Sequence, residues 1–288
     1  MNRIDNGIGA VTEIQYKPST QHAVEAASRG TPWQSAAPFP VQTVSGIVQR
    51  DTISGGVTTR TIRYYDGFFD GRDREFRGFG RAEVIEEGGS DSPSTMTVSH
   101  FHQGRRGITP GTTAEERSAL KGRLYRMEVF GPAADGTLTA PFRVEEDEYE
   151  VKELAVAING RRVLFPKIRF ANAFAHEGQA ASLTDKTEIG YDDVGNVVLK
   201  DVTWDTGAGT QRLISHFRYT ADTTRWILNL PVELVETDGA GTLLRQHHYF
   251  YDGAAFTGLA LGQVTNGNLS RREELILTEA QAAAVYGA

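Results

Sequence analysis

Cysteine is missing from the chain, which rules out disulfide stapling and cysteine-type zinc sites. No run of ~18 apolar residues occurs, so no transmembrane helix is expected. The N-terminus carries Asn2, Asp5 and Asn6 and lacks the apolar core of a signal peptide. Basic excess is also absent. The formal net charge is −7, whereas general nucleic-acid binding needs a basic footprint and attraction to anionic lipid needs clustered cations. Tryptophan and methionine are scarce, at three each. Apolar residues make up 39% of the chain, a modest share that suits sheets solvated on one face. At 288 residues the length fits one large all-β domain or two smaller ones.

What is present reads as strands. Thr12, Ile14 and Tyr16 alternate with Glu13 and Gln15, and 57–65 is rich in Thr, Ile and Tyr. Met96, Val98 and His100 share one strand face. Tyr125, Met127 and Val129 oppose Arg126 and Glu128, while Leu213, Phe217 and Tyr219 oppose Arg212, His216 and Arg218. Each pattern has the two-residue period of a half-buried antiparallel strand. Turns are expected at Ala134-Asp135-Gly136-Thr137, Asp193-Val194-Gly195-Asn196 and Asp238-Gly239-Ala240-Gly241, because Gly, Asn and Asp tolerate positive φ. Ser90–Ser94 reads as a loop. Helix is limited to a capping box at Thr113-Ala114-Glu115-Glu116, a second at Thr278-Glu279-Ala280-Gln281, and one or two turns over His22–Arg29 ended by Gly30 and Pro32. Tyr-Asp pairs stand at Tyr65-Asp66, Tyr191-Asp192 and Tyr251-Asp252. Their uneven spacing favours an irregular hairpin stack over an even solenoid. A soft domain boundary is placed near 104–116.

The densest signal is Tyr64-Tyr65-Asp66-Gly67-Phe68-Phe69-Asp70-Gly71, continuing as Arg72-Asp73-Arg74-Glu75-Phe76-Arg77-Gly78-Phe79-Gly80-Arg81. It joins doubled aromatics, Asp-Gly turns and alternating opposite charges, which favour strands, tight turns and cross-strand pairing at a wet surface. This stretch resembles the middle region of the B component of bacterial insecticidal toxin complexes (Tc toxins, TcdB type). That region is shared with Salmonella-plasmid-virulence-B-like (SpvB-like) proteins and leads into an Rhs/YD-repeat shell. Further pieces resemble the family in the same order. They are Asp5-Asn6-Gly7-Ile8-Gly9-Ala10, Pro32-Trp33, Pro38-Phe39-Pro40-Val41, Ser99-His100-Phe101-His102-Gln103-Gly104, Leu120-Lys121-Gly122-Arg123, the YD-like Tyr191-Asp192-Asp193-Val194-Gly195-Asn196-Val197, Gly258-Leu259-Ala260-Leu261-Gly262-Gln263-Val264 and Arg271-Arg272-Glu273-Glu274-Leu275.

The resemblance implies a mainly β fold of antiparallel hairpins and meanders forming a curved sheet. It also implies a single TcdB-middle-like region over 1–288, as a section of a larger toxin protein whose propeller and protease core lie elsewhere. The implied function is containment: a wall section of a hollow shell that encloses a toxic C-terminal polypeptide before delivery. Its implied partners are the rest of the shell and the toxin C component with its cargo, with the A component reached only through the propeller. Nucleic acid and membrane insertion by this segment are not expected, and the implied setting is extracellular, within a toxin complex. The residues expected to matter are structural: Tyr65, Asp66, Phe69, Asp70, Arg74, Glu75, Phe76, Arg77, Gly78, Phe79 and Gly80, with Tyr191, Asp192, Gly195 and Asn196 of the YD-like turn. The aromatics are expected between strands, with Arg74, Glu75 and Arg77 paired across them.

Candidate chemistry does not close. His100 and His102 would share a strand face, a pair able to serve zinc, but no third ligand stands at fixed local spacing. His247 and His248, as neighbours on a strand, point to opposite faces. The acidic run Glu145, Glu146, Asp147, Glu148 and Glu150 lacks a calcium-loop pattern and reads as a solvated strand face. Glu148-Tyr149-Glu150 has the Glu-x-Glu form of some ADP-ribosyltransferases without their other motifs. Gly78-Phe79-Gly80 lacks the third glycine and following helix of a nucleotide loop, and no serine nucleophile elbow occurs. Trp33, Trp204 and Trp226 read as packing residues rather than a sugar-stacking surface. No catalytic residue, metal or cofactor is therefore expected. The alternatives are a β-rich surface module binding glycan or a host protein and, less favoured, an ADP-ribosyltransferase-like enzyme.

Overall fold

A computed structural model describes residues 2–35, 37–89, 92–131, 141–176 and 183–275, with residues 280 and 283. Among these, the chain forms fifteen strands and two helices. The strands follow one another in chain order in the sheet, and every pair with a defined register is antiparallel. The expected mainly β hairpin meander is therefore found. No helix among the described residues is long and apolar enough to cross a membrane.

Two compact units divide the chain. The first comprises Met1–Lys167 and Ala173–Ser182, the second Ile168–Asn172 and Leu183–Ala288. The division falls inside one strand, and residues 104–116 lie within the first unit.

The first unit opens with β1 (Arg3–Asp5), β2 (Ala10–Pro18), α1 (Ser19–Ser28) and β3 (Gln42–Asp51). The hairpin of β4 (Val57–Asp70) and β5 (Glu75–Glu86) follows, then β6 (Thr95–Phe101), α2 (Ala114–Ala119), β7 (Leu124–Phe130), β8 (Pro141–Val156) and β9 (Arg162–Ala175), the strand that both units share. α1 begins three residues before the expected His22, directly after Pro18, and buries Ser19, His22 and Ala26. His22 Nε2 lies 3.1 Å from Thr43 Oγ1, and its ring meets Tyr64 edge-on at 5.4 Å. Burial pushes its pKa down, so a neutral imidazole packs there. α2 carries the expected capping box: Thr113 Oγ1 accepts from the Glu116 N–H, and the Glu116 carboxylate accepts from the Thr113 N–H. Those bonds satisfy donors that the first helical turn leaves orphaned. The helix delivers Leu120 into the core at 1% exposure.

The second unit holds the middle of β9, then β10 (Leu183–Tyr191), β11 (Val197–Asp205), β12 (Thr210–Asp222), β13 (Ile227–Asp238), β14 (Leu243–Tyr251) and β15 (Leu269–Leu275). The expected turns at 193–196 and 238–241 connect β10 to β11 and β13 to β14. Its core includes Val232, Phe250, Tyr251 and Val264. Few side chains in either unit are fully buried, and most strand residues are half-buried. The turn at Ala134–Thr137 and most of the capping box at Thr278–Gln281 lie outside the described residues, as do residues 90 and 91 of the Ser90–Ser94 loop.

Candidate functional site

The β4–β5 hairpin carries the motif that dominates the sequence. Its ladder pairs Tyr65 with Arg81 and Gly67 with Phe79, then shifts so that Phe69 pairs with Phe76. Phe68 therefore faces both Arg77 and Gly78, the two-against-one arrangement of a β-bulge. Gly78 has φ +79°, which a side chain would resist. Asp66 also has positive φ, at 56°, and its carboxylate accepts the backbone N–H of Gln34 at 2.6 Å.

These irregularities turn carbonyls away from the ladder, and a side chain from β6's exit meets them. Gln103, 4% exposed, donates from Nε2 to the carbonyls of Asp66 (2.7 Å) and Gly78 (2.8 Å). A Cβ on Gly80 would lie 3.0 Å from Gln103 Oε1. Gly80 thus leaves room for the amide, without the positive φ of Gly78.

Tyr65 is 5% exposed. Its hydroxyl donates to Glu83 at 2.9 Å, and the Arg81 guanidinium lies over its ring at 4.0 Å. Arg81 and Arg63 both pair with the buried Glu83. On the hairpin's aromatic side, Phe79 meets Tyr64 at 4.7 Å, Phe76 at 5.4 Å and Trp33 at 5.9 Å, and Phe39 meets Phe69 at 5.3 Å. Trp33 and Phe39 come from the α1–β3 connection, so that connection is fastened by edge-to-face ring contacts.

At the hairpin tip, Asp70 accepts the N–H groups of Arg72 and Asp73. The Arg77 side chain, 3% exposed, reaches Asp70 at 3.0 Å and Asp73 at 2.5 Å, with Glu75 at 3.6 Å. Glu75 also pairs with Lys121 at 2.7 Å. Arg74 departs from the expectation. It occupies the turn with φ 52° and forms no ion pair among the described residues. A residue committed to turning the chain has no strand opposite it to pair with.

The YD-like turn is tied locally. Asp192 accepts the N–H groups of Val194 and Asn196, and the Asn196 amide donates to Asp192 and to the Leu228 carbonyl. Gly195 supplies the turn's positive φ, and burial pushes the Tyr191 hydroxyl pKa up. A third pair, Tyr251-Asp252, makes the tightest cluster. Asp252 has φ 52° and accepts four backbone N–H groups, from Thr265, Asn266, Gly267 and Asn268, at 2.7–3.1 Å. Those bonds, Thr265 foremost, hold its carboxyl far below the usual carboxylate range. From the sequence, Asp252 reads only as half of a Tyr-Asp pair and Gln103 only as part of a family-like string, and Glu83 is not read at all. The one available signal was the string Tyr-Asp-Gly, which occurs at 65–67 and again at 251–253.

His102 lies beyond β6, stacked on Tyr125 at 4.4 Å, and burial pushes its pKa down to about 4. His100 lies 3.3 Å from Glu128. Among the described residues no group of three His, Asp or Glu side chains could hold a metal ion. Along β8, Glu145 pairs with Arg143, Glu146 with Arg126 and Glu150 with Lys167. Burial pushes the Asp147 pKa up, with Glu145 adding to it. Trp226 contradicts the packing expectation: it is 77% exposed with φ 59°, because it sits in the β12–β13 turn rather than on a strand face.

The fold these residues stabilise is an antiparallel hairpin meander with its connections tied to the strands. The model of the insecticide toxin TcdB middle/N-terminal region matches residues 1–106, so the resemblance read from the sequence holds over that segment. The whole chain has the fold found in the crystal structure of TcdB2-TccC3, with TM-score 0.82 and 18% identity, covering 100% of this chain and 19% of that one. A structure of the Photorhabdus luminescens Tc holotoxin pore carrying a mutated TccC3 gives TM-score 0.83 and 18% identity, covering 99% and 18%. The chain thus spans about a fifth of the solved chains it matches. No curated protein matches.

Proposed function

We propose that this chain is a structural section of the hollow shell of a Tc-type toxin B component, one β-rich region over 1–288 that helps to enclose a C-terminal toxic polypeptide before delivery. The observation that carries the reading is the coverage: all of this chain superposes on about a fifth of TcdB2-TccC3, which supports reading it as a part of such a larger architecture. The motif residues of the β4–β5 hairpin and the YD-like turn then act structurally, fastening connections to the sheet, and no catalytic role is assigned to any of them. The partners are the remainder of the shell and a C component with its cargo, in an extracellular toxin complex. The test uses the complete polypeptide co-expressed with its C component. Electron microscopy is expected to show this segment in a closed wall, with the cargo resistant to added protease. Cargo digested at the rate of the free polypeptide, with this segment outside any enclosing wall, overturns the proposal.

The exposed Trp226 favours one second reading, a surface module binding glycan or a host protein. Retention on a glycan array that is lost in Trp226→Ala would support it.

A further inference from the structure

One cleft in the first unit is out of character with an acidic chain. It has a volume of about 540 Å³, within the roughly 300–1,000 Å³ of ligand-sized pockets. Seven of its sixteen lining residues are arginines, against three acids. The three acids are already committed: Asp70 and Asp73 to Arg77, and Glu115 to Arg162. Part of the wall is fixed. Arg117 donates to the carbonyls of Gly111 and Thr112, and Arg162 is held by Glu116 and Glu153. Arg105 lies over the Phe68 ring at 5.2 Å and reaches only the Ser35 hydroxyl, at 3.3 Å.

The remaining three, Arg72, Arg106 and Arg161, are exposed. Their guanidinium groups form no hydrogen bond or ion pair among the described residues. Several arginines on strands are instead paired across the ladder, as Arg60 is with Glu86 and Arg212 with Asp201. Here three uncommitted guanidinium groups line one cleft. They stand on three different connections: the β4–β5 turn, the segment after β6 and the β8–β9 turn. Three separate connections thus each bring one uncommitted guanidinium to the cleft. Guanidinium groups match carboxylate geometry, and Phe68 and Leu164 give the lining an apolar component against which methylene stems can lie.

We propose that this cleft binds an acidic segment of polypeptide in extended form, its spaced carboxylates meeting Arg72, Arg105, Arg106 and Arg161. A single phosphate would engage only part of so distributed a charge.

The test is fluorescence anisotropy of a labelled oligoglutamate peptide with the 288-residue chain at low salt. Binding is expected, weakening as salt rises. The combined variant Arg72→Glu, Arg106→Glu and Arg161→Glu is expected to weaken it by about tenfold or more and to flatten its salt dependence. The neutral Arg→Gln triple should show a smaller loss, and serves if the charge-reversed chain melts below wild type. Oligolysine should not bind the wild-type cleft. Equal oligoglutamate affinity in wild type and in both triple variants overturns the proposal. So does pyrophosphate binding that the variants abolish while oligoglutamate fails to bind, which would make this a phosphate site.

Discussion

Replacing Gln103 by leucine removes the donor that serves two carbonyls at the hairpin bulge while keeping a similar volume. Both hydrogen bonds are short, 2.7 and 2.8 Å, and the residue is buried, so water cannot fully take over. Each intact bond contributes a net ~0.5–1.5 kcal/mol, and a carbonyl left buried without a partner costs ~1–3 kcal/mol. Two carbonyls, partly relieved by relaxation of a hairpin near the surface, give an expected loss of about 2–4 kcal/mol. Gln103→Glu keeps the shape but presents a carboxylate to two carbonyl oxygens, and should lose at least as much. The assay is urea unfolding of the purified chain, read from the midpoint at constant slope. A coupling measurement sharpens it. Gly80→Ala crowds Gln103 Oε1, so its cost should shrink in the Gln103→Leu background, by more than the ~0.5 kcal/mol within which independent sites add. A Gln103→Leu midpoint within error of wild type, or strict additivity with Gly80→Ala, would refute the claim that this amide holds the bulge.

Gly78→Val should cost more than the ~1 kcal/mol of an average substitution, because a β-branched residue is forced to φ +79°. Gly80→Val should cost through collision with Gln103 instead, so only the second penalty should fall in Gln103→Leu; equal relief of both would count against the distinction. Asp252 predicts an acid effect. Its carboxyl pKa is depressed in the folded state relative to about 3.9 when unfolded. The stability it contributes is therefore fully present above about pH 4 and is lost as pH falls below that. Asp252→Asn should be less stable than wild type at neutral pH and should show a flatter decline in urea midpoint between about pH 4 and pH 2; parallel declines would refute the assignment.

The sequence made the strands and their turns legible because both are written locally. The two-residue alternation at 125–129 and 212–219 needs only neighbouring residues, and so do the capping box at Thr113–Glu116 and the turn at Asp193–Asn196. The Arg74 pairing failed for the same local reason. Alternating charge looks identical whether a residue lies on a strand or in the turn that ends it, and only its φ of 52° separates the two. Trp226 failed likewise, as a bulky residue in a turn. Gln103 was beyond reach, since the carbonyls it serves lie 25 and 37 residues away and leave no periodicity. The division inside β9 is equally silent, because an unbroken strand pattern runs across it.

The two Tyr-Asp-Gly strings suggest what such a motif does in a fold with little second layer. In both, the tyrosine is buried on the sheet and its hydroxyl is anchored, to Glu83 in one case and to the Pro231 carbonyl in the other. In both, the aspartate takes positive φ, which swings its carboxylate off the ladder towards another part of the chain. Asp66 thereby holds Gln34, and Asp252 holds 265–268. Tyr191-Asp192 lacks the glycine, and its chain returns at once through a tight turn, so Asp192 caps only its own hairpin. A sheet with few fully buried side chains has little core against which long connections could pack, and charge-assisted hydrogen bonds from the strand end are a local substitute. The same device at 65–67 and 251–253 is what a sheet needs when each unit must hold its own loops in place.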